Sequence, residues 1–381
     1  MHRKFQLLIL LCLAVNSSIA QDVEIPALNI GDVAPPLQVR EWLKGTPVKK
    51  LKKGKIYVIE LWATWCKGCI RGIPHVSAMA REYRDKVTFI GMNVSDNKPI
   101  GELRAFVNNM GDKMDFPVAV EDSNFIATGW NDATLDKSIP KCFVVNEEGR
   151  IAWYGPSSLL DKILPRVINN TWDIAAALAK RNFDRRVQYL DSEAGYDLMA
   201  YQSNRLKPGD RGKPEAALIA IEEIVKKEPA LKYTPSVAFH TFLSLLKTDP
   251  RKAYEYGKVA MVTPTYEYFA DPPFEQVGGA IEWAMEWYGD TLKLPAKIYR
   301  LGAEAYQLEI DGFPASEILH KKYQKMANMY WRAGDKPDAI KAQERAIDFL
   351  KKTKKVSPED LAARRVRPSG KIRRARAGCP S

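Results

Sequence analysis

The chain has 381 residues, 46% of them hydrophobic and 27% charged. That suits two or three folded domains and excludes a wholly disordered or collagen-like protein. The formal charge is +12, but eleven basic and two acidic residues between 351 and 381 account for +9 of it. The rest of the chain is nearly neutral, which argues for a basic tail and against a nucleic-acid-binding body.

At the N-terminus, His2, Arg3 and Lys4 precede an apolar run from Phe5 to Val15, and Ser18-Ile19-Ala20 ends in small residues. The pattern predicts a signal peptide over 1–20 with cleavage after Ala20; an uncleaved anchor is the competing reading. Cys12 lacks a small residue just before it, so no lipoprotein site is read. Later stretches fall short of the roughly 18 apolar residues of a membrane span, so the mature chain is expected to be soluble. Export implies an oxidising compartment, where cysteines tend to pair. Four remain after cleavage: Cys66, Cys69, Cys142 and Cys379.

Residues 27–165 read as alternating strands and helices. Lys55–Trp62 is a β-branched and aromatic run that predicts a buried strand. Cys66–Tyr83 carries Ile70, Ile73, Val76, Met79 and Ala80 at helical spacing. A second strand is expected over Val87–Val94, a helix over Ile100–Met110 and a short strand over Phe116–Val120. Cys142–Val145 and Ile151–Tyr154 flank Asn146-Glu147-Glu148-Gly149-Arg150, a hairpin signal with Gly149 free to take positive φ. Together these predict an α/β sandwich with a mixed sheet flanked by helices.

From about Trp172 the strand signals give way to Ala-rich helical periodicity, so an all-α, repeat-like domain is expected over 172–352. Tyr323, Ala327, Tyr330, Gly334, Ala339 and Ala346 fall at offsets that resemble a tetratricopeptide unit, whose small residues let two helices approach closely. A generic helical bundle is the alternative. Residues 353–381 are predicted to be a disordered basic tail, either simply solvated or in weak contact with anionic lipid headgroups.

The chemistry concentrates in Glu60-Leu61-Trp62-Ala63-Thr64-Trp65-Cys66-Lys67-Gly68-Cys69. A Cys-x-x-Cys at a strand-to-helix junction puts its first sulfur where unpaired N–H groups and the helix dipole favour an anion. An ordinary thiol is about 3% ionised at pH 7, whereas such a site reaches half or more. Cys66 then acts as nucleophile, and Cys69, nearly one turn on, resolves the mixed disulfide. Lys67 adds a nearby positive charge. Zinc would need two further ligands, and His75, His240 and His320 are not spaced as a ligand pair. A purely structural disulfide is the other alternative. No metal or other cofactor is expected.

These residues resemble the thioredoxin superfamily, in its exported TlpA/ResA-like branch. Trp62-Ala63-Thr64-Trp65-Cys66 resembles the family's approach to the active site, and Pro74 its helix-kinking proline. Ile139-Pro140 is similar to its cis proline. Gly31-Asp32, Ala34-Pro35 and Trp42-Leu43-Lys44-Gly45 resemble the branch's N-terminal extension. The resemblance spans about 27–165 and stops before the helical half. It implies that Glu60 is a buried acid relaying the proton of Cys69; a strand-end glutamate facing solvent is the alternative. It also implies that Pro140 and Ile139 line a substrate groove, that Trp62 packs inside and that Trp65 borders the disulfide. Thioredoxins carry Gly-Pro where Lys67-Gly68 stands, so the dipeptide is expected to tune the potential. Gly72 stands where some ResA-like proteins carry a glutamate.

Cys142 is expected to be a small buried hydrophobe, with a third redox thiol as the minority reading; Cys379 is expected to be free. His75 reads as a surface helix residue. The implied activity is a thiol–disulfide oxidoreductase that reduces protein disulfides in a bacterial periplasm or cell envelope, fed by a membrane or envelope electron donor. Alternatives are a disulfide oxidase or isomerase, and a redox-linked scaffold whose helical repeats recruit a protein partner. The Pro-x3-Thr-x2-Cys spacing of a peroxidase motif is absent, since Cys66 is preceded by Thr64-Trp65 and no suitable proline.

Overall fold

The computed structural model describes residues 26–202, 212–263, 274–288, 292–312 and 318–353. The signal-peptide segment 1–20, Cys12, the tail beyond 353 and Cys379 lie outside the described residues. The chain divides into two compact units, one ending at Arg186 and the other starting at Val187.

The first unit is built on one six-stranded sheet. Its strands are β1 (Val39–Lys44), β2 (Ile56–Trp62), β3 (Val87–Asn93), β4 (Val118–Glu121), β5 (Lys141–Val145) and β6 (Ile151–Gly155), in the order β1-β4-β3-β2-β5-β6. β2 runs parallel to β3 and antiparallel to β5, so the sheet is mixed. Every residue of β2 is buried, as expected of a central strand covered on both faces. β5 and β6 form the expected hairpin around Gly149, whose φ is +79°.

Helix α1 (Lys67–Glu82) starts just after Cys66 and buries Cys69, Ile73, Val76, Met79 and Ala80. α2 (Ile100–Met110) buries Leu103 and Val107, and its Phe106 stacks on the fully buried Trp62 at 5.6 Å. α3 (Leu160–Ile168) and the first part of α4 (Ile174–Met199) complete the unit. Arg181 and Arg185 of α4 donate to the Tyr154 carbonyl and hydroxyl respectively, which explains why this stretch of helix belongs with the sheet.

Two strand expectations need adjusting. The strand placed at Phe116–Val120 begins at Val118, because Pro117 has no N–H for a ladder; its carbonyl instead accepts from Gly91 N–H at 2.9 Å. The segment around Trp42-Leu43-Lys44-Gly45, which by resemblance belongs to an N-terminal extension, forms β1, an edge strand paired with β4, with register shifts that blur its alternation.

The second unit is helical in its described residues. It holds the end of α4 with α5 (Pro214–Lys227), α6 (Pro235–Thr248), α7 (Pro250–Ala260), α8 (Phe274–Tyr288), α9 (Ala296–Gly312), α10 (Leu319–Ala333) and α11 (Lys336–Thr353). Its main core includes Phe242, Ile281, Ile298, Leu301 and Met329. Gly257 marks a close approach: a Cβ there would lie 2.6 Å from Phe242 and 2.7 Å from Leu301. α10 and α11 form a helix hairpin turned at Gly334 (φ +85°), with Ala327, Ala339 and Ala346 buried.

Candidate active site

β2 ends at Trp62, and the chain turns through Ala63-Thr64-Trp65 before Cys66 caps α1. Several bonds hold this turn. The Asp96 carboxylate accepts from Thr64 N–H at 2.7 Å, Ser95 O accepts from the Trp65 indole at 3.0 Å, and Trp62 O accepts from Val94 N–H at 3.0 Å. Burial works against the Asp96 anion, but bonds from Thr64, Asn93 and Lys98 prevail and hold its carboxyl below the usual range. The Glu121 carboxylate in turn accepts from Ser95 and Ala127 N–H groups, both at 2.7 Å. The sequence alone does not single out Asp96 and Glu121, since an acid at or just beyond the end of a strand looks like any solvated loop residue.

Cys66 and Cys69 are joined as a disulfide, with Cα atoms 5.3 Å apart. Cys66 is the N-cap residue of α1, and its Sγ accepts from Cys69 N–H at 3.1 Å. This is the place a serine or aspartate oxygen normally takes, so a sulfur anion there would meet the same donor and the same dipole. Cys69 is fully buried and Cys66 6% exposed, while Trp65 beside them is 60% exposed. Lys67 is exposed, and Pro74 lies inside α1 on its outer side. His75 is half-exposed, 3.0 Å from Asp161.

The Ile139–Pro140 peptide is cis and half-buried, and Ile139 O lies 3.6 Å from Cys66 Sγ. Gly68 faces the same proline: a Cβ at 68 would come within 3.3 Å of Pro140 Cδ. A Cβ at Gly72 would lie 3.2 Å from Ser157 Oγ, so a longer side chain there would be crowded.

Glu60 is fully buried, which removes the solvent-facing alternative. Neither of its carboxyl oxygens has a hydrogen-bond partner, and burial raises its pKa from 4.5 to about 8. It sits opposite Gly91 on β3 and Cys142 on β5, so all three share one face of the sheet. Cys142 is a free, fully buried thiol, pushed well above its ordinary pKa by burial and by Glu60. That is an inert environment, not one that activates sulfur. The structure therefore gathers Cys66, Cys69, Trp65, Lys67, Gly68, Ile139 and Pro140 around one sulfur pair, with Glu60 two residues before the end of β2.

The Redoxin family matches residues 29–161. Protein FixW of Rhizobium leguminosarum is 30% identical over 152 residues, spanning 38% of this chain and 69% of FixW. The thiol-disulfide oxidoreductase ResA of Bacillus anthracis is 30% identical over 152 residues, spanning 39% of this chain and 83% of ResA. A thioredoxin-like protein solved in solution in its oxidized form aligns at 21% identity with a TM-score of 0.33, covering 38% of this chain and 99% of that one.

Proposed function

The chain belongs to the thioredoxin superfamily, in its TlpA/ResA-like branch of thiol–disulfide oxidoreductases, and on that premise we propose that it reduces protein disulfides in the cell envelope. The observation that carries this reading is the pairing of a cap-position sulfur, Cys66, with a buried sulfur one turn later, beside a cis proline.

In the reduced protein the Cys66 thiolate attacks one sulfur of a substrate disulfide. A Cys66–substrate disulfide forms and the other substrate sulfur leaves as a thiolate. Cys69 then loses its proton and attacks Cys66 Sγ, restoring the Cys66–Cys69 disulfide and releasing the second substrate thiolate. Two electrons pass to the substrate. Glu60, with a pKa near 8, is suited to take the Cys69 proton as general base. Ile139 and Pro140 supply backbone for an extended substrate strand, and Trp65 borders it. Lys67 and Gly68 tune the couple. A membrane or envelope electron donor returns the electrons.

The signal-peptide pattern in 1–20 supports export; among the described residues no helix is long and apolar enough to cross a membrane. The α10–α11 hairpin supports a tetratricopeptide-like helical half that recruits a protein partner. The basic tail adds weak contact with anionic lipid, and truncation at 353 should then lower membrane fractionation at low salt.

The test is trapping. A Cys69→Ser variant should accumulate substrate proteins as mixed disulfides on Cys66 and should stop turning over insulin. Adducts that persist after Cys66→Ser, or wild-type protein without insulin reduction, would overturn the reading.

A further inference from the structure

Lys141 is the first residue of β5 and directly follows the cis proline. Its side chain is 2% exposed. Lysines are almost never buried so fully unless paired. Its ammonium lies 2.7 Å from Asn131 Oδ1, 3.2 Å from Thr134 Oγ1 and 3.2 Å from Asp136 Oδ2, and it also donates to Asp136 O. All four acceptors belong to the ten residues that lead into Pro140. Internal bonds knit the same segment. Asn131 Nδ2 donates to Lys137 O at 3.0 Å, the Thr134 hydroxyl to Asn131 O at 2.7 Å, and Ser138 N–H to Asp136 Oδ1 at 2.9 Å. Arg185 of α4 adds a bond to Thr134 O at 3.1 Å.

The backbone of Lys141 is fixed in the central sheet, opposite Leu61 of β2. Its stem is therefore a rigid arm, and its head is the hub to which the loop is tied. We propose that Lys141 is a positioning residue that holds segment 131–140 in the shape that receives an extended strand of a protein disulfide substrate. The proposal rests on the reading of Ile139 and Pro140 as the substrate platform. A preorganised platform binds without first being ordered, and an untethered one loses that advantage. The segment meets the sulfur pair at its far end, where Ile139 O lies 3.6 Å from Cys66 Sγ, while the Lys141 bonds act on residues 131–136, so loosening them weakens substrate capture more than sulfur exchange.

The experiment uses the full chain, with insulin as substrate and dithiothreitol as reductant. In Lys141→Met the insulin KM should rise about tenfold while kcat changes by less than about threefold, the size expected when charge-assisted bonds to one segment are lost. Lys141→Arg keeps the charge and should recover most of the KM. A fall in kcat with KM unchanged, or a lower melting temperature with both constants unchanged, would overturn the proposal. If wild-type protein does not reduce insulin, the substrate reading fails on its own. Amide hydrogen exchange then decides the role of Lys141. Exchange of the Leu135 and Ser138 amides, which are bonded to Asp132 O and Asp136 Oδ1, should speed up about tenfold in Lys141→Met, with β2 and β3 unchanged; equal protection in both proteins would overturn it.

Discussion

The two units differ in what they bury. In the second, several buried polar groups are matched, although Gln202 Oε1 has no hydrogen-bond partner. The Asp191 carboxylate accepts from the N–H groups of Ser236 and Val237 at the start of α6 and from the Thr234 hydroxyl, Lys322 pairs with Glu309, and His240 meets Gln202 at 2.8 Å. In the first, unmatched polar atoms include several near the site: both Glu60 oxygens, the Trp62 indole nitrogen and Asn93 Oδ1. Unpaired buried polar groups cost stability, and they persist where function requires them. These unmatched groups of the first unit lie on the elements that lead to the Cys66–Cys69 pair, which is where the redox chemistry is placed.

The largest test of that contrast removes the nucleophile. Cys66→Ser should cut insulin reduction to the rate of dithiothreitol alone while the second unit melts as in wild type; residual catalysis would break the assignment.

Glu60→Gln comes next. Burial raises the folded-state pKa from 4.5 to about 8, so the folded protein holds a proton that the unfolded chain releases. This stabilising contribution is full below pH 4.5 and is lost as pH rises through 8. Relative to Glu60→Gln, wild-type protein should lose on the order of 5 kcal/mol across that window, read from denaturant midpoints at pH 4.5 and 9. The variant should also release mixed disulfides about a hundredfold more slowly. Unchanged turnover and pH profile would remove Glu60 from the mechanism.

Phe242→Ala probes the other side. The residue is fully buried in the second core, so its loss should cost about 4 kcal/mol in that unit's urea transition and leave insulin turnover unchanged. A matching fall in turnover would mean that the helical unit supports the chemistry.

The smallest effect is expected from Gly68→Ala. The added Cβ would meet Pro140 Cδ at 3.3 Å, and kcat/KM should fall about threefold. A large loss would mean that the approach of 68 to 140 is tighter than this geometry.

The same contrast governs how much could be read from the residues alone. β2, α1 and the β5–β6 hairpin were legible because their apolar spacing and the Gly149 turn agree with their final neighbours. The sulfur pair was legible from its spacing at a strand-to-helix junction, whereas the proline opposite it was legible only through the family resemblance. β1 was not, since Val-Arg-Glu-Trp-Leu-Lys is half-polar and takes its strand form from pairing with β4. The burial of Glu60 was implied by the resemblance, while the strand pattern alone left a strand-end glutamate facing solvent open. Lys141 was invisible, because lysine reads as solvated until Asn131, Thr134 and Asp136 are seen converging on it. In the helical half, periodicity announced helices, but small residues alone did not tell which helix Gly257 would touch.

The central claim is that the N-terminus of α1 stabilises sulfur as an anion at Cys66. The direct measurement is the rate of iodoacetamide alkylation of Cys66 in reduced protein, followed against pH by mass spectrometry. The account predicts a half-maximal rate at about pH 7 or below. Half-maximal reaction at about pH 8.5, where an ordinary thiol ionises, would contradict it.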